Sequence, residues 1–348
     1  MKTFALFLFL TFASVGTQYS HLHAAPVDKT FLEYCTDDQA SEEIKKTIAA
    51  LGDWVGSDDC DRLYGFVQRS ELLILRGYGI SDLRPLAEMT QLYELDLTDN
   101  NITDLKPLRG LTRIHWLYLG LNEIEDLTPL EDMYQLRHLE AYKNKIKYVK
   151  LMANPIFYWI DLSHNQLSSL AQIPSLPSLE ILELSHNNIS SLNPMGLYPE
   201  LRLLKLSYNK ISDIKSLPGL DKLEWLDLKG NQIADLEGIE SQKGQPAIDL
   251  SENLIADIGP LKSMKQLTSL ELSDNYISDL SPISDLLNLE YLGLSINEIE
   301  SLIPLKSLKK LKKFRLRGNP LGRSIEKTPE NCPMGEEDAE MIVNWCKS

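Results

Sequence analysis

In "LTSLELSDNYISDLSPISDL", leucine or isoleucine occupies positions 267, 270, 272, 277, 280, 283 and 286. That spacing is neither the stripe of an amphipathic helix nor the sustained alternation of an ordinary strand. Leu270 and Leu272 alternate with Glu271, which predicts a very short strand with both leucines on one face. Asn275 follows, where its amide can bond backbone of neighbouring turns, and Ile277 and Leu280 return to the same apolar side after a bend. Asp279 is expected to cap a following turn, with Pro282 at its first position.

The frame recurs. Counting from Asn275, equivalent asparagines stand at 100, 122, 144, 165, 187, 209, 231, 253, 297 and 319, each step 22 residues except the 21 from Asn144 to Asn165. One step further back lies Tyr78, behind "LLILRGYGISDLRPL", so twelve units run from 70 to 321. A single unit cannot bury its leucines, whereas stacked units can. The pattern predicts an α/β leucine-rich-repeat solenoid. Its curved parallel sheet, about 55 Å long, lies on the concave side, with short helical or irregular turns on the convex side.

Both open ends of such a stack need covers. Residues 1–25 carry one lysine, an apolar run from Phe4 to Val15 and small residues at Ala24 and Ala25, the pattern of a secretory signal peptide. Residues 26–69 read as a helical N-terminal cap, with Thr36 and Gln39 spaced like a capping box and Gly52 as a stop. Residues 322–348 read as a C-terminal cap with a short helix. Beyond residue 20 no apolar run is long enough to span a membrane. Secretion or a periplasmic location follows.

An exported chain sits in an oxidising compartment, which makes its four cysteines candidates for disulfides. A stack of twelve strands holds Cys35 and Cys60 roughly 50 Å from Cys332 and Cys346. Within one monomer only Cys35–Cys60 and Cys332–Cys346 can close; four buried thiols are the alternative.

The 22-residue frame with "N-x-I-x-D-L-x-P-L", the helical N-terminal region and the export signal resemble internalin-type bacterial leucine-rich repeat proteins. The tail "GNPLGRSIEKTPENCPMGEEDAEMIVNWC" is similar to that of a secreted subgroup with cysteine-bracketed caps. The resemblance implies a non-catalytic module that binds a protein, in pathogens a host protein, through the concave face. It covers repeats and caps; neither the immunoglobulin-like domain that follows internalin repeats nor a cell-wall sorting motif is present in the sequence.

With the core positions assigned, function falls to the outward side chains of each strand. The first outward column includes Trp116, His138, Trp159, Ile181, Leu203, Trp225 and Tyr291, an apolar and aromatic stripe that period-two alternation keeps out of the core. The next column includes Tyr118, Glu140, Asp161, Glu183, Lys205, Asp227, Asp249 and Glu271, and Tyr142 lies two residues beyond Glu140. An aromatic stripe beside an acidic stripe suits a protein partner with apolar and basic contacts, and Trp159 and Trp225 are its expected anchors. Antiparallel packing of two copies through this face is the alternative occupant.

The formal net charge of −15 becomes −16 once Lys2 leaves with residues 1–25, which argues against nucleic acid. No phosphate-cradling glycine loop and no serine–histidine–acid set appears in the frame, so no cofactor and no catalysis are expected. The competing functional reading is a metal- or glycan-dependent envelope protein. It uses His164 and His186, which occupy equivalent places in adjacent repeats, with His138, Asp161 or Glu183. Finally, "YKNKIKYVKLMANPIFYW" loses one residue and the Asp-Leu and Pro-Leu signatures while gathering Lys143, Lys145, Lys147 and Lys150. It reads as a tolerated deletion, or as a kink that re-aims Trp159 beside a basic lip.

Overall fold

The structure is a computed structural model and describes residues 29–244 and 247–321. The expected export signal, C-terminal cap and Cys332–Cys346 pair lie outside the described residues.

Twelve three-residue strands form one parallel sheet in chain order. They are β1 Leu72–Ile74, β2 Glu94–Asp96, β3 Trp116–Tyr118, β4 His138–Glu140, β5 Trp159–Asp161 and β6 Ile181–Glu183. The sheet continues through β7 Leu203–Lys205, β8 Trp225–Asp227, β9 Ala247–Asp249, β10 Ser269–Glu271, β11 Tyr291–Gly293 and β12 Lys313–Arg315. In each strand the middle residue is buried, while the flanking residues reach the opposite face, buried outright only at Asp96, His138 and Gly293. The main core is one continuous file, mostly leucine and isoleucine, from the N-terminal helices to Leu316, and Tyr34, Ala40 and Ile44 form a small separate cluster among those helices.

The asparagines hold the stack together. Asn275 donates from Nδ2 to the carbonyls of Leu272 in its own repeat and Leu250 in the previous one, both at 3.0 Å, and its Oδ1 accepts the Ile255 N–H at 2.9 Å. The same set recurs at Asn122, Asn187 and Asn231. One buried side chain thereby satisfies three backbone groups that a bend would otherwise leave unpaired, which accounts for asparagine at this position in every unit but the first, where Tyr78 stands.

Where the D-L-x-P-L signature is present, as at Ser281–Ile283, the opposite side of the coil forms a short 3-10 turn. Asp279 accepts the Ser281 N–H at 2.8 Å, two residues on, and Pro282 takes the second place in the turn rather than the first. The Ser281 hydroxyl, donating to Asp279 at 2.6 Å, and then the Ser281 N–H hold the Asp279 carboxyl below its usual range.

The N-terminal region consists of α1 Phe31–Cys35, α2 Glu42–Val55 and α3 Cys60–Val67. Phe31, Leu51, Leu63 and Val67 are buried and continue the repeat core past β1. The Cys35–Cys60 disulfide joins the end of α1 to the start of α3, with 5.9 Å between the Cα atoms. The helix caps differ from the expected positions. The capping box is Thr30 with Glu33, at the start of α1, and Thr36 ends that helix. Asp37 draws the Gln39 N–H into a turn, and Ser41 caps α2, just before its buried positions Ile44, Ala50 and Leu51 begin. Gly52 does not stop α2, which runs on to Val55 and closes on Gly56 at φ +71°, the left-handed geometry glycine adopts without strain.

The one-residue deletion leaves the sheet in register: His138 pairs with Trp159 and Glu140 with Asp161. The shortened segment is absorbed away from the strands, where buried Asn154 donates to the Leu136 carbonyl at 2.7 Å and Phe157 fills the core. A basic lip does not form. Lys145, Lys147 and Lys150 contact Glu123, Glu125 and Glu131 at 2.7, 3.0 and 2.6 Å.

Candidate functional site

The sheet register turns the outward positions into straight columns. Trp116, His138, Trp159, Ile181, Leu203 and Trp225 are successive partners across β3–β8, and Tyr118, Glu140, Asp161, Glu183, Lys205 and Asp227 form the parallel column. Tyr291 stands apart on β11, three strands beyond Trp225. Neighbours along a column are about 4.8 Å apart.

The N-terminal half is an interlocked aromatic cluster. His138 has the Trp159 ring 5.0 Å away on one side and the Tyr118 ring 5.2 Å away on the other. Tyr158 lies edge-on to His138 at 6.0 Å, and the Trp116 indole N–H donates to its hydroxyl at 3.4 Å. Tyr93 packs edge-on against Trp116 at 4.8 Å and, at a tilt of 33°, against His115 at 4.0 Å. The Tyr142 ring lies over Gly120, in space that any larger residue there would fill. Burial, then nearby Glu94 and Glu140, raises the Tyr118 hydroxyl; burial and Glu140 do the same to Tyr142.

Trp159 and Trp225 therefore differ. Trp159 is half-buried in the cluster, and its indole nitrogen is enclosed without an acceptor. Trp225 is 42% exposed and stands at the far end of the half-buried Ile181–Leu203 pair.

The acidic column divides too. Asp96 contacts Arg76 at 2.8 Å, Glu140 contacts the His138 imidazole at 2.8 Å and Glu183 contacts Lys205 at 3.0 Å. Among the described residues Asp161, Asp227, Asp249 and Glu271 have no cationic partner. Burial raises the Glu183 carboxyl, with Asp161 adding to the effect and Lys205 opposing it. Burial also raises Asp249, reinforced by Asp227 and Glu271 and opposed by hydrogen bonds from Ser251.

His164 and His186 lie at the edge of this face, immediately before the ladder asparagines, in left-handed backbone at φ +55° and +56°. Their rings stack at 4.1 Å and Tyr208 continues the stack at 4.5 Å. Among the described residues no group of three or more histidine, cysteine, aspartate or glutamate side chains is placed to hold a metal ion. The metal reading of the two histidines has no geometric support there.

Sequence reasoning left out Tyr93, His115, Tyr158 and Tyr208. The first three precede a strand by one residue, and Tyr208 falls in the column of His164 and His186. The 22-residue count, carried one or two columns further, finds all four.

Three leucine-rich-repeat family models match, at residues 177–233 ("Leucine rich repeat"), 248–285 ("Leucine Rich repeats (2 copies)") and 90–105 ("Leucine Rich repeat"). A search of curated proteins finds no match. Among solved structures, the chain is similar to the internalin InlF of Listeria monocytogenes, with 25% identity and a TM-score of 0.73 over 84% of this chain and 86% of that one. The functional domain of InlJ from the same organism aligns at 23% identity and TM-score 0.64, over 83% of this chain and 61% of that one. The ectodomain of the Arabidopsis receptor kinase HAESA, in complex with an IDA peptide hormone, aligns at 22% identity and TM-score 0.55, over 74% and 47%. No helix among the described residues is long and apolar enough to cross a membrane. Strand order, asparagine ladder, disulfide-tied helices and these likenesses together make the chain an internalin-like leucine-rich repeat protein.

Proposed function

We propose that the chain is an exported, non-catalytic module that recognises a protein partner through its strand face. The observation that carries this reading is Trp225, exposed on a rigid sheet at the end of the Ile181–Leu203 floor and flanked by Asp227. Exposed tryptophan next to apolar surface is a common hot spot of protein interfaces. Asp161 and Asp227 alongside favour a partner that sets lysine or arginine next to its apolar contacts. The same fold in HAESA holds a peptide hormone, which supports the use of this architecture for protein ligands. Two copies docking through the same face would bring their acidic columns close together, so a distinct partner fits better than a homodimer.

The test is affinity capture from extracellular and host fractions with the chain and its Trp225→Ala variant as paired baits. A partner retained by the first and lost by the second supports the reading. Equal retention by both places binding elsewhere.

A further inference from the structure

Resting on the strand-face reading, we propose that strands β8–β11 form a recess for cationic side chains, arginine or lysine, presented by a protein partner. The first outward column is bulky along most of its length, but Ala247 and Ser269 stand between Trp225 and Tyr291. Two small residues between aromatic walls about 14 Å apart leave a gap in the stripe. Beside that gap run Asp227, Asp249 and Glu271 on consecutive strands.

The charge on this stretch differs from the rest of the face. Elsewhere Asp96, Glu140 and Glu183 have partners at 2.8–3.0 Å, and Asp161 alone among the other carboxylates of the column has no cation among the described residues. Asp227, Asp249 and Glu271 have no cation among the described residues, and the Lys229 ammonium is drawn aside to Glu252 at 3.0 Å. Their hydrogen bonds come from neutral donors: the Lys229 N–H to Asp227, the Ser251 N–H and hydroxyl to Asp249, and the Ser273 N–H and hydroxyl together with the Tyr291 hydroxyl, at 2.5 Å, to Glu271. Gly293 opens the next strand, since the Glu271 carboxylate occupies the space where any side chain at 293 would begin.

The three carboxylates run in a line instead of converging, and no metal-holding group of three is present among the described residues. A line suits a guanidinium or ammonium carried on an extended segment, which meets carboxylate edges and aromatic faces together. The Tyr291 wall already carries the aromatic half of such a contact: the Arg315 guanidinium lies 5.8 Å over its ring.

The experiment titrates N-acetylated, C-amidated hexa-arginine and its hexa-citrulline counterpart into the full chain at low ionic strength. Asp227→Asn/Asp249→Asn/Glu271→Gln is compared with Asp53→Asn/Glu298→Gln/Glu300→Gln, which removes the same charge outside the recess. The expected result is at least a tenfold weaker hexa-arginine affinity in the first variant, less than a twofold change in the second, and no saturable hexa-citrulline binding. Equal effects in the two variants, or none in the first, overturn the proposal. If the first variant does not fold, Ala247→Phe fills the gap from the solvent side and must weaken binding by a similar factor. Failure here leaves the wider strand-face reading standing, because that reading is tested on a protein partner with Trp225→Ala.

Discussion

The imidazoles of His164 and His186 lie face to face one repeat apart, 4.1 Å between ring centroids and 10° between planes. Burial, then His186 and Lys143, holds the His164 ring below its usual range, with Asp161 opposing. For a base whose folded pKa is lowered, the unfolded chain binds the proton more readily, so stability falls as pH drops through about 6.5. His164→Asn should lose less melting temperature between pH 7 and pH 5 than the parent protein. Identical pH profiles would show that the stack does not couple to protonation.

Asp249 works in the opposite direction. Its carboxyl is raised by burial and by Asp227 and Glu271, so the native state holds that proton more tightly. Ionising it costs stability that is fully felt at neutral pH and relieved as pH falls through the raised value. Asp249→Asn keeps an oxygen to accept from Ser251 and should be at least as stable as the parent at pH 7, by up to about 1 kcal/mol. The difference should shrink in acid. A clear loss in neutral urea unfolding would contradict this.

Ile296 has φ +55° and is 58% exposed. A β-branched side chain in left-handed backbone is strained, and here little burial compensates. Ile296→Asn should stabilise the protein by about 1 kcal/mol, read as a higher urea midpoint at unchanged slope. A lower midpoint would mean that the side chain packs against the last repeats more than its exposure suggests.

The ladder makes the complementary prediction. Asn231 donates to Leu206 and Leu228 at 3.0 and 2.9 Å and accepts from Ile211 at 3.0 Å. Asn231→Ala should cost about 2–3 kcal/mol, because buried backbone groups lose their partners. A loss below about 0.5 kcal/mol would mean that water or a relaxed bend replaces them.

Much of this was legible in the sequence for a physical reason: in a solenoid every repeat sees the same neighbours, so a column in the sequence becomes a column in space. Trp116, His138, Trp159 and Ile181 line up as the count of 22, and once 21, requires. What depends on side-chain reach was not legible. The stripe reads as uniform, yet Trp159 is enclosed by His138 while Trp225 is open. The lysines of the shortened repeat read as a patch until Glu123 and Glu125, each 22 residues earlier, are seen to meet Lys145 and Lys147. Helix caps failed for another reason: Thr36–Gln39 fits a capping box locally, but burial of Ile44, Ala50 and Leu51 fixes the start of α2 at Ser41.

The central claim is that the strand face, anchored at Trp225, is where a protein binds. Its most direct measurement is the affinity of the captured partner for the parent protein and for Trp225→Ala, with melting temperatures recorded alongside. The account predicts a loss of about 2 kcal/mol or more, roughly thirtyfold, at an unchanged melting temperature. Unchanged affinity in a folded variant would contradict it.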